Sequence, residues 1–286
     1  MNGADNFILT LSCPDRLGIV HAVTGFLAEH GCNIVDSQQF GDRDTGRFFM
    51  RVDVESTDPK LNVESLRTAF ASIAEDFTMD AEIHAAATKP RVLIMVSKQG
   101  HCLNDLLYRW RVGGLSADIV AIVSNHTDFA GLASSYGIAF HHIPVTAPTK
   151  PDAEAHLLEL VDQLDVELVV LARYMQVLGD TVCDRLPGRI INIHHSFLPS
   201  FKGAKPYHQA HSRGVKLIGA TAHYVTANLD EGPIIEQEVA RVDHGDDVEH
   251  LASIGRDLEC LALARAVRWH LEHRVLVDGH KTIVFR

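Results

Sequence analysis

Asn192 and His194 stand two residues apart at the end of the apolar run Arg189-Ile-Ile-Asn-Ile-His194. On a strand, that spacing puts both side chains on one face. Asp230 sits further on in the turn-forming stretch Asn228-Leu-Asp-Glu-Gly-Pro233, where a loop can aim a carboxylate. An amide donor, an imidazole and a carboxylate together suit acyl chemistry. The amide can donate to a developing oxyanion, the imidazole can move a proton near neutral pH, and the acid can orient the ring. The sequence has no Gly-x-Ser-x-Gly elbow and no Ser or Cys in a nucleophile's context, so water or a substrate amine must attack. Spacing alone also allows a plainer reading, in which Asn192 and His194 cap loop backbone and Asp230 only forms a turn.

The elements that would position these residues follow from periodicity. From Arg91 onward, continuous apolar runs such as 91–97, 166–172 and 189–193 alternate with helical patterns near 103–111, 128–136 and 153–164. That alternation predicts a mostly parallel sheet covered on both faces. Its ligand crevice should open past the carboxyl ends of the strands, which is where 192–195 fall. Two further strands flank the turn at 228–233, a long helix spans about 247–273, and a terminal hairpin turns at Asp278-Gly279. Pro199 and Gly203 mark the loop that leaves the histidine pair.

The first 80 or so residues read differently, as strand, helix, two strands, helix, strand: the ferredoxin-like plan. The small, Pro-terminated stretch 85–90 suits a linker. Two domains are expected, at 1–86 and 87–286, in an α/β chain.

Composition narrows the function classes. The 286 residues are 46% hydrophobic and 22% charged, ordinary for a globular protein. A formal charge of −11 without a basic stripe argues against a nucleic-acid partner. No apolar run approaches the ~18 residues of a membrane span, and no signal peptide opens the chain. Five scattered cysteines without a CxxC pair fit free thiols in a reducing cytoplasm. Eighteen histidines invite a metal, but neither His141-His142, His194-His195 nor His208-x-x-His211 has recognised ligand spacing. No metal and no tightly bound cofactor is expected.

The segments "NIHHSFLPSFKG" and "GATAHYVTANLDEGPIIEQE" resemble the folate-dependent formyltransferases over about 91–280. The resemblance implies Asn192, His194 and Asp230 as catalytic residues. It puts Met175, Gln176, Val177 and Leu178 along a folate pocket, with His195 and His223 also at the substrate. Glycinamide ribonucleotide formyltransferases of this family hold a phosphate on a Gly-x-Gly-Ser-Asn turn, and they carry Pro where this chain has His195. Here the turn is "SKQGHCLNDLLYR", with only Gly100. Both "SKQGHCLNDLLYR" and "NIHHSFLP" are similar instead to the formyltetrahydrofolate deformylases. These hydrolyse 10-formyltetrahydrofolate to tetrahydrofolate and formate and so supply formate for purine synthesis. Methionyl-tRNA formyltransferases add a basic carboxyl-terminal domain that this sequence does not carry.

"CPDRLGIV" and "HGCNI" resemble the ACT domain, which precedes the catalytic part in the deformylases. That implies association of copies through this module and an amino-acid effector, glycine or methionine, near Asp15, Arg16, Gly18 and Asn33. A dimerisation module without a ligand fits equally. His195 or Lys98 is a further candidate for holding water or blocking an amine. The rival readings are formyl transfer to an amine such as glycinamide ribonucleotide, and a non-enzymatic amino-acid or folate sensor.

Overall fold

The structure is a computed structural model that describes residues 5–56, 58–198 and 206–286. Pro199 and Gly203 lie outside the described residues. Two compact units result. One runs to Lys89 and takes in Glu272–Asp278 and Ile283–Arg286, and the other comprises Pro90–Leu271 and Gly279–Thr282.

The first unit follows the ferredoxin-like order: β1 (Asp5–Pro14), α1 (Ile19–Glu29), β2 (Cys32–Asp42), β3 (Arg47–Ser56), α2 (Val63–Phe77) and β4 (Asp80–Ala85). Its strands form an antiparallel sheet in the order β2-β3-β1-β4. Ile19, Val23, Phe26 and Leu27 of α1 and Leu66 and Phe70 of α2 pack onto Leu9, Leu11, Met50 and Val52. A capping box starts α2: Asn62 accepts from the Ser65 amide while the Ser65 hydroxyl accepts from the Asn62 amide.

In the second unit β5 (Arg91–Val96), α3 (His101–Arg111), β6 (Asp118–Ser124), α4 (Ala130–Tyr136) and β7 (Ala139–His142) build one side. The chain then crosses through α5 (Lys150–Gln163) to β8 (Leu168–Leu171), α6 (Asp180–Arg185) and β9 (Ile190–His194). Beyond them follow α7 (Pro206–Ser212), β10 (Leu217–Tyr224), β11 (Ile234–Arg241) and α8 (Val248–Leu271). The seven strands are ordered β11-β10-β9-β8-β5-β6-β7. The inner pairs are parallel, and β10 and β11 are added antiparallel. Strand order reverses between β5 and β8, the switch point at which open α/β sheets make a crevice. At the carboxyl terminus β12 (Val275–Asp278) and β13 (Lys281–Val284) pair as the expected hairpin.

Periodicity does not foresee α6 and α7. They have six and seven residues.

Candidate active site

Strand β9 delivers Asn192 and His194 to one face, and the antiparallel register sets His223 of β10 opposite Asn192. Between Ala222 and His223 the β10–β11 ladder slips, an irregularity that re-aims a side chain at a sheet edge. The Asn192 amide nitrogen lies 3.2 Å from His223 Nε2. His223 Nδ1 in turn lies 2.9 Å from the Tyr224 carbonyl, which can only accept. Nδ1 therefore carries the proton, Nε2 accepts from Asn192, and the amide orientation is fixed. One of the two Asn192 N–H groups remains for a ligand.

The loop after β10 brings the acid in. Asp230 has φ +56, a left-handed conformation uncommon outside glycine. The loop is tied down by the Tyr224 amide donating to the Pro233 carbonyl at 2.9 Å. Gly232 permits that closure, because a Cβ there would lie 1.8 Å from the Tyr224 carbonyl oxygen. Gly232→Ala must push the loop away and should lower stability by about 2–4 kcal/mol. Urea unfolding would measure the loss, and a variant within about 0.5 kcal/mol of the parent would remove the close approach from the explanation.

Asp230 Oδ1 lies 3.2 Å from His194 Nδ1 and 3.7 Å from His223 Nε2. Burial pushes the Asp230 carboxyl up, but the hydrogen bond and charge from His194, with the His223 ring close by, outweigh it and hold the group well below the usual carboxylate range. The acid is therefore ionised, and His194 Nδ1 donates to it. His194 Nε2 is left buried with no hydrogen-bond partner among the described residues, poised for a substrate atom. His195 stacks on His194 with ring centroids 5.0 Å apart. Burial, then the neighbouring Arg173 and His194 charges, lower its pKa to about 4, so it is neutral at pH 7.

A cleft open to solvent gathers these groups. Asn192, His194 and Asp230 line it, as do His195, His223 and all four of Met175, Gln176, Val177 and Leu178. Met175 and Val177 are more than half exposed within it, 56% and 54%, apolar surface that a flat aromatic ligand could cover. Lys98 is exposed and is not among the lining residues.

Sequence reasoning misses a second cluster beside the cleft. Arg173 is buried, adopts φ +64 and lines the same cavity. Its Nη2 donates to Gln99 at 3.0 Å, and its Nε lies 3.4 Å from Glu259, which is 1% exposed. Glu259 also accepts from Tyr207 at 2.8 Å and lies 2.6 Å from His101 Nε2. Burial raises the Glu259 carboxyl, but the His101 hydrogen bond and the Arg173 charge leave it below its ordinary value. Gly255 makes room, since a Cβ there would meet the Tyr207 hydroxyl at 1.9 Å. The only sequence signal for this cluster is a glutamate on the helix face that also carries Ala262, Leu263 and Ala266.

His101, Cys102 and Glu259 present ligand atoms within 4.8 Å of one another. Both Glu259 oxygens already have partners, and a guanidinium stands beside them. A hydrogen bond with Cys260 and burial push the Cys102 thiol up, away from the thiolate a metal needs. The set fits an ion-pair network better than a metal centre.

In the first unit Asp15, Arg16 and Gly18 line a shallow hollow with Phe48. Asn33 is not among its lining residues; it donates to Glu55 at 3.0 Å. Arg16 donates to the Asp76 carbonyl and lies 4.1 Å over the Phe77 ring. Gly18 has φ +98, which a side chain would strain.

Two family models match this chain: "Formyl transferase" over residues 90–267 and "ACT domain" over residues 7–70. A formyltetrahydrofolate deformylase from a Corynebacterium species is 55% identical, covering 98% of both chains. The crystal structure of a formyltetrahydrofolate deformylase from Burkholderia mallei superposes with a TM-score of 0.94 at 56% identity, covering 99% of this chain and 100% of that one. A glycinamide ribonucleotide transformylase from Symbiobacterium toebii shares 33% identity, with a TM-score of 0.65 over 69% of this chain and 95% of its own. Likeness to the deformylases thus runs the whole length, through both the ACT and the formyltransferase parts. The chain belongs to the formyltetrahydrofolate deformylase family.

Proposed function

We propose that the chain hydrolyses 10-formyltetrahydrofolate to tetrahydrofolate and formate, with Asn192, His194 and Asp230 at the reacting carbon. The observation that carries this reading is the 3.2 Å pairing of ionised Asp230 with His194 Nδ1, beside a buried His194 Nε2 without a partner. The pterin lies along Met175, Gln176, Val177 and Leu178, which brings the formyl group to the polar end of the cleft.

Water adds to the formyl carbon, and the carbonyl oxygen takes up negative charge. The free Asn192 N–H and His194 stabilise that oxyanion, while Asp230 balances the charge on His194. Through this pair the proton lost by water passes to the folate nitrogen as the C–N bond breaks. The products are the amine and formic acid, which ionises to formate. No cofactor is required. An acceptor-free assay tests the reading: steady formate release from 10-formyltetrahydrofolate is expected. Silence until an amine is added would favour transfer, and binding without turnover would favour a sensor.

A glycine or methionine effector at the hollow of Asp15, Arg16 and Gly18 would regulate this activity, with copies associating through the ACT unit. The exposed side chains of Val35 and Phe40 on the edge strand β2 support that association. A cytoplasmic setting suits the five free cysteines.

Stability should depend on pH through two groups of the site. For Asp230 the folded pKa lies below the unfolded value of about 3.9. Its contribution is complete above that value and is lost as pH falls below it. For His195 the folded pKa is about 4 against an ordinary 6.5. The unfolded chain binds that proton first, so stability declines as pH drops from 6.5 toward 4. His195→Asn should flatten the melting-temperature curve across that window. An equally steep curve in the variant would remove His195 as its source.

A further inference from the structure

We infer that the buried cluster around Arg173 selects the nucleophile, excluding an amine acceptor from the formyl carbon and leaving the position to water. This rests on the hydrolytic reading above.

At the switch point between β5 and β8 the loops that follow the two strands are tied to each other. The Ser97 amide donates to the Arg173 carbonyl at 3.2 Å, and the Met175 amide donates to the Ser97 hydroxyl at 3.0 Å. The Arg173 side chain lies beside them, held by Gln99 on one side and by Glu259 on the other. Glu259 is anchored in turn by His101, the first residue of α3, and by Tyr207. The arrangement is unfavourable for the chain by itself. Arg173 holds a left-handed backbone conformation, and its Nε and Nη1 are buried without hydrogen-bond partners among the described residues.

What the cluster does is set by its place. Arg173 lines the reaction cleft together with His194 and His195. An amine acceptor is larger than water and carries positive charge in its ammonium form, so a fixed guanidinium excludes it by both size and sign. Water is small and neutral and passes. The fold does not make this choice, because a chain named as a transformylase shares it at 33% identity. Side chains must make it.

The test follows the product ratio. Full-length protein is given 10-formyltetrahydrofolate with glycinamide as the probe amine, and formate and N-formylglycinamide are both measured. In transfer, the amine nitrogen bonds to the formyl carbon, the bond from that carbon to the folate nitrogen breaks, and the amine proton ends on the folate. Parent protein should yield formate almost alone. Arg173→Gly, which also relieves the backbone strain, should raise the ratio of N-formylglycinamide to formate by at least about tenfold. Arg173→Gly/Glu259→Gln, which leaves no unpaired acid, should do the same. Gln99→Ala changes an exposed residue, so it should fold as the parent does; by freeing Arg173 it should move the ratio in the same direction by less. An unmoved ratio in every soluble variant overturns the inference. Absence of acceptor-free formate release from the parent protein is a different result, which overturns the hydrolytic reading instead.

Discussion

Asp230→Asn should lower kcat by about three to four orders of magnitude while the affinity for folate changes little. In the proposed binding mode the acid does not face the pterin. It touches His194 at 3.2 Å and sits at the polar end of the cleft. An amide of the same shape keeps the loop and its left-handed backbone but removes the charge that balances a protonated His194. It can also offer its own N–H to His194 Nδ1, which reverses the tautomer and turns Nε2 into a donor. Both effects fall on the transition state and neither on pterin binding, so kcat falls without a matching change in Kd. Single-turnover formate release paired with equilibrium titration of folate separates the two. A variant turning over within about tenfold of the parent would take Asp230 out of the mechanism.

Asn192→Ala should cost about 10²–10³ in kcat, the usual effect of deleting one oxyanion donor. The amide is pre-set: one N–H is held by His223 Nε2 at 3.2 Å, and His223 is itself fixed by the Tyr224 carbonyl at 2.9 Å. The other N–H needs no reorganisation when the oxyanion forms. Among the described residues lining the cleft, Gln176 is the other side-chain amide, and it lies between β8 and α6 rather than on β9. KM should move far less than kcat. Equal losses in ground-state binding and in turnover would point to a structural role instead.

The layout of the second unit is legible in the sequence because each inner strand is covered on both faces and so reads as an unbroken apolar run. Runs such as Val92–Val96 and Leu168–Leu171 are buried throughout. Asn192 and His194 are legible for the same reason: polar residues at the end of such a run need a purpose. The turn offers Asp230 as a candidate acid, but its meeting with His194, and the place of His223, come only from the resemblance, because the meeting of β9 with the β10–β11 loop depends on an antiparallel register and a bulge that no local pattern encodes. Arg173 and Glu259 are illegible for a different reason. An arginine within a strand-to-loop stretch and a glutamate on a long helix look like solvated charges, and only the tertiary fold shows both buried. Backbone sign is equally hidden: nothing in "LARYM" announces φ +64 at Arg173.

The path of the chain between its two units has an effect on how it comes apart. After Leu271 the polypeptide returns to the amino-terminal unit, where the Glu272 carbonyl accepts from Arg51 at 3.3 Å and His273 stacks on His84 at 3.6 Å. Protease nicking at the 85–90 connection therefore cannot liberate an intact amino-terminal module. The freed fragment lacks the tail whose Glu272 carbonyl accepts from the buried Arg51, so excision of the first unit with this bond intact requires a grafted or circularly permuted carboxyl terminus.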